Sequence, residues 1–189
     1  MNTLYIDFDD TLCMSTKAIV SLYNEDFQYY KNFHHINWCD VDTWEYEELN
    51  CTSKNYILEY FNQKRFFDIL EFQPEAKHYI NLLSEDYDIK IVSMCSYPNY
   101  IGKRLWLEKN LPGVELIFVD QNEYPDKAHI DMSDGIFIDD LSTNLKTSNA
   151  KTKVCFGTHS WNKDWHRVRC NTWEEIYKLF DIAKETKSE

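Results

Sequence analysis

The stretch that decides the fold is Leu4-Tyr5-Ile6-Asp7-Phe8-Asp9-Asp10-Thr11-Leu12. The apolar run from Leu4 to Ile6 is typical of a short buried strand, and carboxylates follow at its carboxyl end, the edge where open parallel sheets bind ligands. Carboxylates packed this closely repel one another, so a fold keeps them together mainly where a cation neutralises them. If the strand continues, Asp7 and Asp9 share one of its faces. A strand followed by an acidic turn is the simpler alternative.

A second acidic pair favours the functional interpretation. Gly135-Ile136-Phe137-Ile138-Asp139-Asp140 repeats the pattern of an apolar strand that ends in adjacent carboxylates. Between the two pairs, a strand predicted at Ile89–Ser93 ends in a hydroxyl, and Lys103 lies near the start of a predicted helix. Carboxylates, a Mg2+ site, a hydroxyl and an ammonium group are what phosphoryl transfer requires. The sequence therefore predicts a site for phosphoryl transfer.

Strands and helices alternate over most of the chain, which predicts an α/β fold: a Rossmann-like parallel sheet with helices on both faces. The predicted strands are Leu4–Ile6, Ile89–Ser93, Glu115–Val119, Ile136–Ile138 and Lys153–Phe156. Residues 13–73 have mainly helical periodicity and predict a small helical insertion after the first strand, while residues 1–12 and 74–189 form the α/β core. Ser15 or Thr16 is expected to cap the first helix, and Thr172 with Glu175 the last.

Composition limits the partners. The 189 residues are 43% hydrophobic and carry a net charge of −12, which predicts a globular protein and disfavours binding to a nucleic acid polymer or to a membrane. The first strand begins almost at the N-terminus, so we expect no signal peptide, and no apolar run reaches transmembrane length. The six cysteines form no CxxC pair, and we expect a reduced, cytoplasmic protein. The oligomeric state is left open, with a homodimer as one option.

The ordered motifs resemble those of the haloacid dehalogenase-like superfamily, whose first motif is DxDx(T/V). Asp7, Asp9 and Thr11 match that motif. Three further matches are Ser93 for the second motif, Lys103 for the third, and Asp139-Asp140 for the fourth. In this superfamily a helical insertion directly after the first motif is a cap over the active site, which is the position of residues 13–73.

Within the superfamily, the chain resembles the 5'(3')-deoxyribonucleotidase family most. The features that carry this resemblance are Lys64-Arg65-Phe66-Phe67 before Pro74, Lys103-Arg104-Leu105-Trp106-Leu107-Glu108-Lys109, Ile138-Asp139-Asp140 and Trp161-Asn162-x-x-Trp165. Two positions depart from the family pattern. Met94 follows Ser93 where the second motif often reads Thr-Ser, and Asp10 stands where many relatives have Gly.

The resemblance implies a Mg2+-dependent phosphomonoester hydrolase with an aspartyl-phosphate intermediate. Asp7 would be the nucleophile, and Asp9 the general acid and base. Mg2+ would be held by a carboxylate oxygen of Asp7, the backbone carbonyl of Asp9 and the carboxylate of Asp139, with Asp140 assisting.

The transferring phosphoryl group would be held by Ser93, the backbone amide of Met94 and Lys103, with Lys127 as the alternative to Lys103. Thr11 is also expected at the substrate.

The cap is expected to select the substrate. Its candidates to line an apolar slot for a nucleobase are Trp38, Trp44, Phe61 and Phe67. Trp38 and Phe61 are preferred as substrate-binding residues because their positions best match the base-stacking aromatics of the family. The alternative is that these aromatic side chains form the core of the cap.

The expected substrate is a small-molecule phosphomonoester, namely a (deoxy)nucleoside monophosphate. A sugar phosphate or another small phosphomonoester is the alternative with the same chemistry. A non-catalytic binding protein that kept the fold is disfavoured by the complete acidic set. A 3'-phosphatase acting on polynucleotide ends is disfavoured by the net charge of −12.

Overall fold

Six parallel strands form the central sheet in a computed structural model of the protein, which describes residues 2–185. In chain order, the strands are β1 (Asn2–Asp7), β2 (Tyr87–Cys95), β3 (Glu115–Asp120), β4 (Ile136–Asp139), β5 (Thr152–Phe156) and β6 (Arg169–Cys170). Their spatial order is β3-β2-β1-β4-β5-β6, and every neighbouring pair is parallel. The predicted α/β fold is therefore confirmed. The pattern of the sequence did not predict β6, which is too short to show one.

Helices pack on both faces of this sheet. The helices are α1 (Ser15–Phe27), α2 (Lys54–Glu59), α3 (Lys64–Ile69), α4 (Ala76–Leu83), α5 (Tyr97–Asn110), α6 (Ser142–Thr147) and α7 (Trp173–Glu185). Side chains alternate between two cores: Leu4 and Ile6 point into the larger core with α4, α5 and α7, whereas Tyr5 points into a smaller core with α6. None of the helices within residues 2–185 is both long and apolar enough to cross a membrane.

The chain leaves the sheet after β1 and returns to it before α4. Backbone hydrogen bonds join the outgoing and returning segments: Met14 N–H donates to the Glu71 carbonyl, and Gln73 N–H donates to the Leu12 carbonyl, both at 2.9 Å. Cys13 and Phe72 form an antiparallel bridge between these bonds. The division of the chain into a cap of residues 13–73 and a core stays a prediction. The paired segments lie at the two ends of that predicted cap, where it would join the core.

Helix α1 begins in a way that the sequence did not indicate. Its Thr16 N–H donates to Asp10 Oδ1 at 3.0 Å, and the Thr16 hydroxyl donates to Asp10 Oδ2 at 2.6 Å. The prediction of a Ser15 or Thr16 cap was therefore wrong, because a carboxylate from the preceding turn performs that function. The predicted cap of α7 is confirmed for Thr172, because the Glu175 N–H donates to Thr172 Oγ1 at 3.2 Å. The Glu175 carboxylate accepts from the Asn171 N–H at 2.6 Å instead of from Thr172, so the reciprocal half of the capping box differs from the prediction.

Candidate active site

The carboxyl ends of β1, β2 and β4 meet at one edge of the sheet. Strand β1 lies between the other two, so Asp7, Ser93 and Asp139 come from three adjacent strands. Strands β2 and β4 flank β1 although they are far apart in sequence, which makes this the switch point where such sheets bind ligands. The topology therefore assembles the predicted site from three segments that lie far apart in the sequence.

Asp7 is buried at the end of β1 beside a lysine. Lys127, from the loop between β3 and β4, bonds to Asp7 Oδ1, and it donates to Asp139 Oδ2 at 2.7 Å. Burial raises the pKa of Asp7 to about 7, although Lys127 opposes the shift and the nearby carboxylates add to it. Burial alone would lower the pKa of Lys127, but Asp139 and Asp7 raise it above its usual value. Lys127 is therefore a permanent cation beside Asp7.

Asp7, Asp139 and Asp140 form a compact buried acidic cluster. One carboxylate oxygen from each lies within 4.8 Å of the others. Burial, followed by the charges of Asp139 and Asp7, raises the pKa of Asp140 well above its usual value. Within residues 2–185, Lys127 is the one cation hydrogen-bonded to this cluster, so the three carboxylates are only partly neutralised.

The donor chemistry of the cluster fits a divalent cation. Carboxylate and amide oxygens are the ligands that hard cations such as Mg2+ prefer. The buried side chain of Asn144, in α6, donates from Nδ2 to Asp139 Oδ2 at 3.0 Å. Its Oδ1 has no hydrogen-bond partner among the described residues, and Asn144 lines the same cavity as the acidic cluster. An amide oxygen in this position suits a cation or its water ligands.

Asp9 lies beside the acidic cluster but has other partners. Ser15 Oγ donates to Asp9 Oδ1 at 2.7 Å, and Lys103 forms an ion pair with Oδ2. Strand β1 ends at Asp7, so the expected alternation of strand side chains does not place Asp9. The turn after β1 places it instead, and a carboxylate next to a hydroxyl and an ammonium group can exchange a proton with a bound substrate.

Both lysines considered from the sequence lie in the site. Lys103 is buried on α5, where it donates to Ser93 Oγ at 2.8 Å and pairs with Asp9. Lys127 contacts Asp7 and also lines the cavity, whereas neither Lys103 nor its partner Ser93 is among the residues that line it. The role of Lys103 as a phosphate ligand stays a prediction, and the contacts favour Lys127 for the position closest to Asp7.

A cavity of about 610 Å3 opens above these residues, between the α/β core and the segment 13–73. Its lining includes Asp7 and Asp9, from the end of β1 and the turn after it, and the apolar side chains Trp44, Leu58 and Phe61 from residues 13–73, together with the polar Asn55, Glu59 and Asn62. Its size is within the usual range for small-molecule sites, and it combines apolar and polar lining residues. A small phosphomonoester could therefore place its phosphate on the acids and its organic part against the apolar side chains.

The predicted substrate-binding residues differ in their relation to this cavity. Met94 and Phe61 line it, as expected. Trp38 is 37% exposed and lies outside the lining, whereas Trp44, from the same segment of the chain, lines the cavity. Thr11 is fully buried and donates to Asp140 Oδ1 at 3.3 Å, which puts it behind the acid and away from a bound substrate.

Three residues of the site were not identified as functional from the sequence. Asn144 follows the second acidic pair by a turn of helix, and Trp161 and Asn162 contact Asp140 from the loop after β5. For Trp161 and Asn162, the available signal was the Trp161-Asn162-x-x-Trp165 motif, which is one of the features that carry the family resemblance. No local spacing indicated that they reach an acid about twenty residues earlier in the chain.

Two comparisons match the chain over nearly its whole length. The family model described as "5' nucleotidase, deoxy (Pyrimidine), cytosolic type C protein" matches residues 1–186. A 5'(3')-deoxyribonucleotidase of Clostridium acetobutylicum is 27% identical over 186 residues, which cover 97% of each chain.

Solved structures show the same fold. A haloacid dehalogenase-like family hydrolase of Streptococcus pneumoniae superposes with a TM-score of 0.67 at 15% identity, covering 95% of this chain and 98% of that one. A haloacid dehalogenase family hydrolase of Deinococcus radiodurans, with bound phosphate and sodium, has a TM-score of 0.67 at 12% identity, covering 97% and 96%. The solved structures thus show the fold of haloacid dehalogenase-like hydrolases, and the family model, which matches nearly the whole chain, shows that the protein belongs to the cytosolic type C 5'-nucleotidase family of phosphatases.

Proposed function

We propose that the protein is a Mg2+-dependent 5'(3')-deoxyribonucleotidase, which hydrolyses (deoxy)nucleoside monophosphates through an aspartyl-phosphate. The observation that carries the proposal is the position of Asp7: it is a buried member of the acidic cluster, it lies beside Lys127, and it lines a cavity that Trp44 and Phe61 also line. The family match supports a nucleotide as the substrate. It also supports the expected cytoplasmic location.

The reaction has two displacement steps. A carboxylate oxygen of Asp7 attacks phosphorus, the ester P–O bond breaks, and Asp9 gives a proton to the leaving alkoxide. Asp9 then takes a proton from water, whose oxygen attacks the same phosphorus and releases inorganic phosphate from Asp7. The sum is one ester and one water converted to one alcohol and one phosphate.

Other residues of the site would bind the phosphoryl group and the cation. Lys127 and Ser93 would hold phosphoryl oxygens, while Lys103 would keep the charge of Asp9 balanced between the two steps. Asp7, the backbone carbonyl of Asp9 and Asp139 would hold Mg2+, with Asp140 and Asn144 beside them. Mg2+ supplies positive charge that offsets the carboxylates and the phosphoryl oxygens.

The cap would supply specificity for the organic part of the substrate. We propose residues 13–73 as this cap, with Phe61 and Trp44 at its cavity surface. Remote binding energy from a stacked base can then promote the reaction at phosphorus.

A phosphate-release assay over a panel of monophosphates tests the proposal. The panel contains deoxynucleotides with 5'- and 3'-phosphates, ribonucleotides, sugar phosphates and p-nitrophenyl phosphate, each with Mg2+ and with excess EDTA. We expect the highest kcat/KM for a nucleotide and no turnover with EDTA. Preference for a sugar phosphate would reject the nucleotidase assignment, and full turnover in EDTA would reject the metal site.

A further inference from the structure

The loop after β5 contains the Trp161-Asn162-x-x-Trp165 motif, to which the reaction above assigns no role. Trp161 Nε1 donates to Asp140 Oδ2 at 2.8 Å, and Asn162 Nδ2 donates to the Asp140 backbone carbonyl at 2.8 Å. The Thr11 hydroxyl donates to the other carboxylate oxygen of Asp140 at 3.3 Å. Asp140 is therefore held at its backbone and at both carboxylate oxygens.

Arg169 of β6 holds this loop in place through hydrogen bonds. Arg169 donates to Asn162 Oδ1 at 2.7 Å and to the Asn162 carbonyl at 2.8 Å, and it also bonds to the Gly157 carbonyl. The Trp161 ring stacks on His159, with 4.4 Å between ring centroids and planes 1° apart. In this packing, the indole N–H of Trp161 points toward Asp140.

The cap covers the same indole. Trp44, which lines the cavity, lies against Trp161 with 5.4 Å between ring centroids, and Ser160 Oγ bonds to the Asp42 carbonyl of the cap. Asp140, which accepts this bond, is itself only 2% exposed. A hydrogen bond to a carboxylate is stronger in such a surrounding than in water.

We propose that Trp161 is a positioning residue, which holds the Asp140 carboxylate in place for the divalent cation. The inference rests on the proposed metal-dependent function. Asp140 stands next to two other buried carboxylates that repel it. Without the Trp161 N–H, only the longer bond from Thr11 would hold its carboxylate against this repulsion. Outer partners that orient metal-binding groups typically change metal affinity by about 10- to 100-fold when they are lost.

The test is the dissociation constant of Mg2+ alone, measured by calorimetry on substrate-free protein. Trp161→Phe keeps an aromatic ring between His159 and Trp44 but removes the N–H. Trp165→Phe is the matched control: Trp165 is buried in the same loop, and its Nε1 donates to the Val168 carbonyl at 2.9 Å instead of to the acidic cluster. We expect Trp161→Phe to weaken Mg2+ binding by about 10- to 100-fold and Trp165→Phe to leave it near the wild-type value.

The outcomes separate this inference from the proposed function. Wild-type protein that binds no Mg2+ would overturn the metal site and this role with it. Wild-type binding that is retained in Trp161→Phe, or weakened equally in both variants, would overturn the role of Trp161 alone.

Thermal unfolding without Mg2+ verifies that each variant folds. If Trp161→Phe does not fold, NMR on the wild-type protein decides the question. The indole N–H resonance of Trp161 should shift when Mg2+ is added while that of Trp165 stays in place, and an unmoved Trp161 resonance would contradict the proposal.

Discussion

Asp7 and Asp9 are separated by a single residue, and their carboxylates have different neighbours. Asp7 is in the buried acidic cluster beside Lys127, whereas Asp9 accepts from Ser15 and pairs with Lys103. Two carboxylates in different surroundings can take different roles in one reaction. We therefore infer that Asp7 is the nucleophile and Asp9 the proton carrier.

Asp9→Asn should slow the reaction in a way that depends on the leaving group. An amide cannot donate the proton that an alkoxide needs, so kcat for a nucleotide should fall by about 100- to 10,000-fold. The first step with p-nitrophenyl phosphate should fall much less, because p-nitrophenolate leaves without protonation. Rapid-mixing kinetics on both substrates measures this, and equal losses would remove the support for a proton carrier at Asp9.

Asp10 stabilises the turn that connects β1 to α1. Its φ of 49° lies in the left-handed region, which Gly, Asn and Asp tolerate best. Asp10→Ala would lose both bonds to Thr16 and keep the unfavourable φ, so we expect a loss of about 1–3 kcal/mol in the free energy of unfolding. Asp10→Asn is the matched control and should lose less. Chemical denaturation measures both, and equal stability of Asp10→Ala and wild type would contradict this role.

At the scale of the element, we expect the aromatic side chains of the proposed cap that line the cavity to recognise the base. Phe61→Ala should lower kcat/KM for a nucleoside monophosphate by about 5- to 150-fold and leave a substrate without a base nearly unaffected. Trp38→Ala is the matched control in the same segment, because Trp38 lies outside the cavity lining. Equal losses on both substrates, with a lowered melting temperature, would instead indicate that Phe61 is part of the cap core.

The loop after β5 should make stability depend on pH through His159. Burial, with a smaller contribution from Arg169, lowers the pKa of His159 to about 4. Between about pH 6.5 and 4 the unfolded chain therefore binds a proton that the folded chain does not, so this residue lowers stability as the pH falls.

We expect His159→Phe to lose less stability than the wild type when the pH is lowered from 7 to 5. His166→Phe, which changes an exposed histidine of the same segment, should keep the wild-type dependence. Thermal unfolding at the two pH values measures this. Identical pH dependence in wild type and His159→Phe would show that His159 is not the group responsible.

Elements with strong local patterns could be predicted from the sequence. Strands buried on both faces are nearly continuous apolar runs, so β1, β2 and β4 could be predicted, and with them the site residues Asp7, Ser93 and Asp139 at their carboxyl ends. The contacts of Asp10 and Trp161 were not visible, because they depend on how the turn after β1 and the loop after β5 fold in three dimensions. Lys127 was named only as an alternative, since it lies in an irregular loop and approaches Asp7 from 120 positions away.

At the scale of the whole molecule, the site has to bind an anion in a protein of net charge −12. The overall field does not attract a phosphate, so local cations have to do so. Lys103 and Lys127 are buried at the site, but each is already paired with carboxylates. Because both lysines are already paired, binding a phosphate requires further positive charge. This is the physical reason for expecting a divalent cation in the acidic cluster.

The central claim is that Asp7 is phosphorylated during turnover, and trapping the phosphorylated enzyme tests it most directly. The protein is mixed with its best nucleotide substrate and Mg2+, quenched in acid within one turnover, digested and analysed by mass spectrometry. We predict one added phosphoryl group on the peptide that contains Asp7, and none in Asp7→Asn. Turnover without any phosphorylated peptide, or phosphorylation that persists in Asp7→Asn, would contradict the claim.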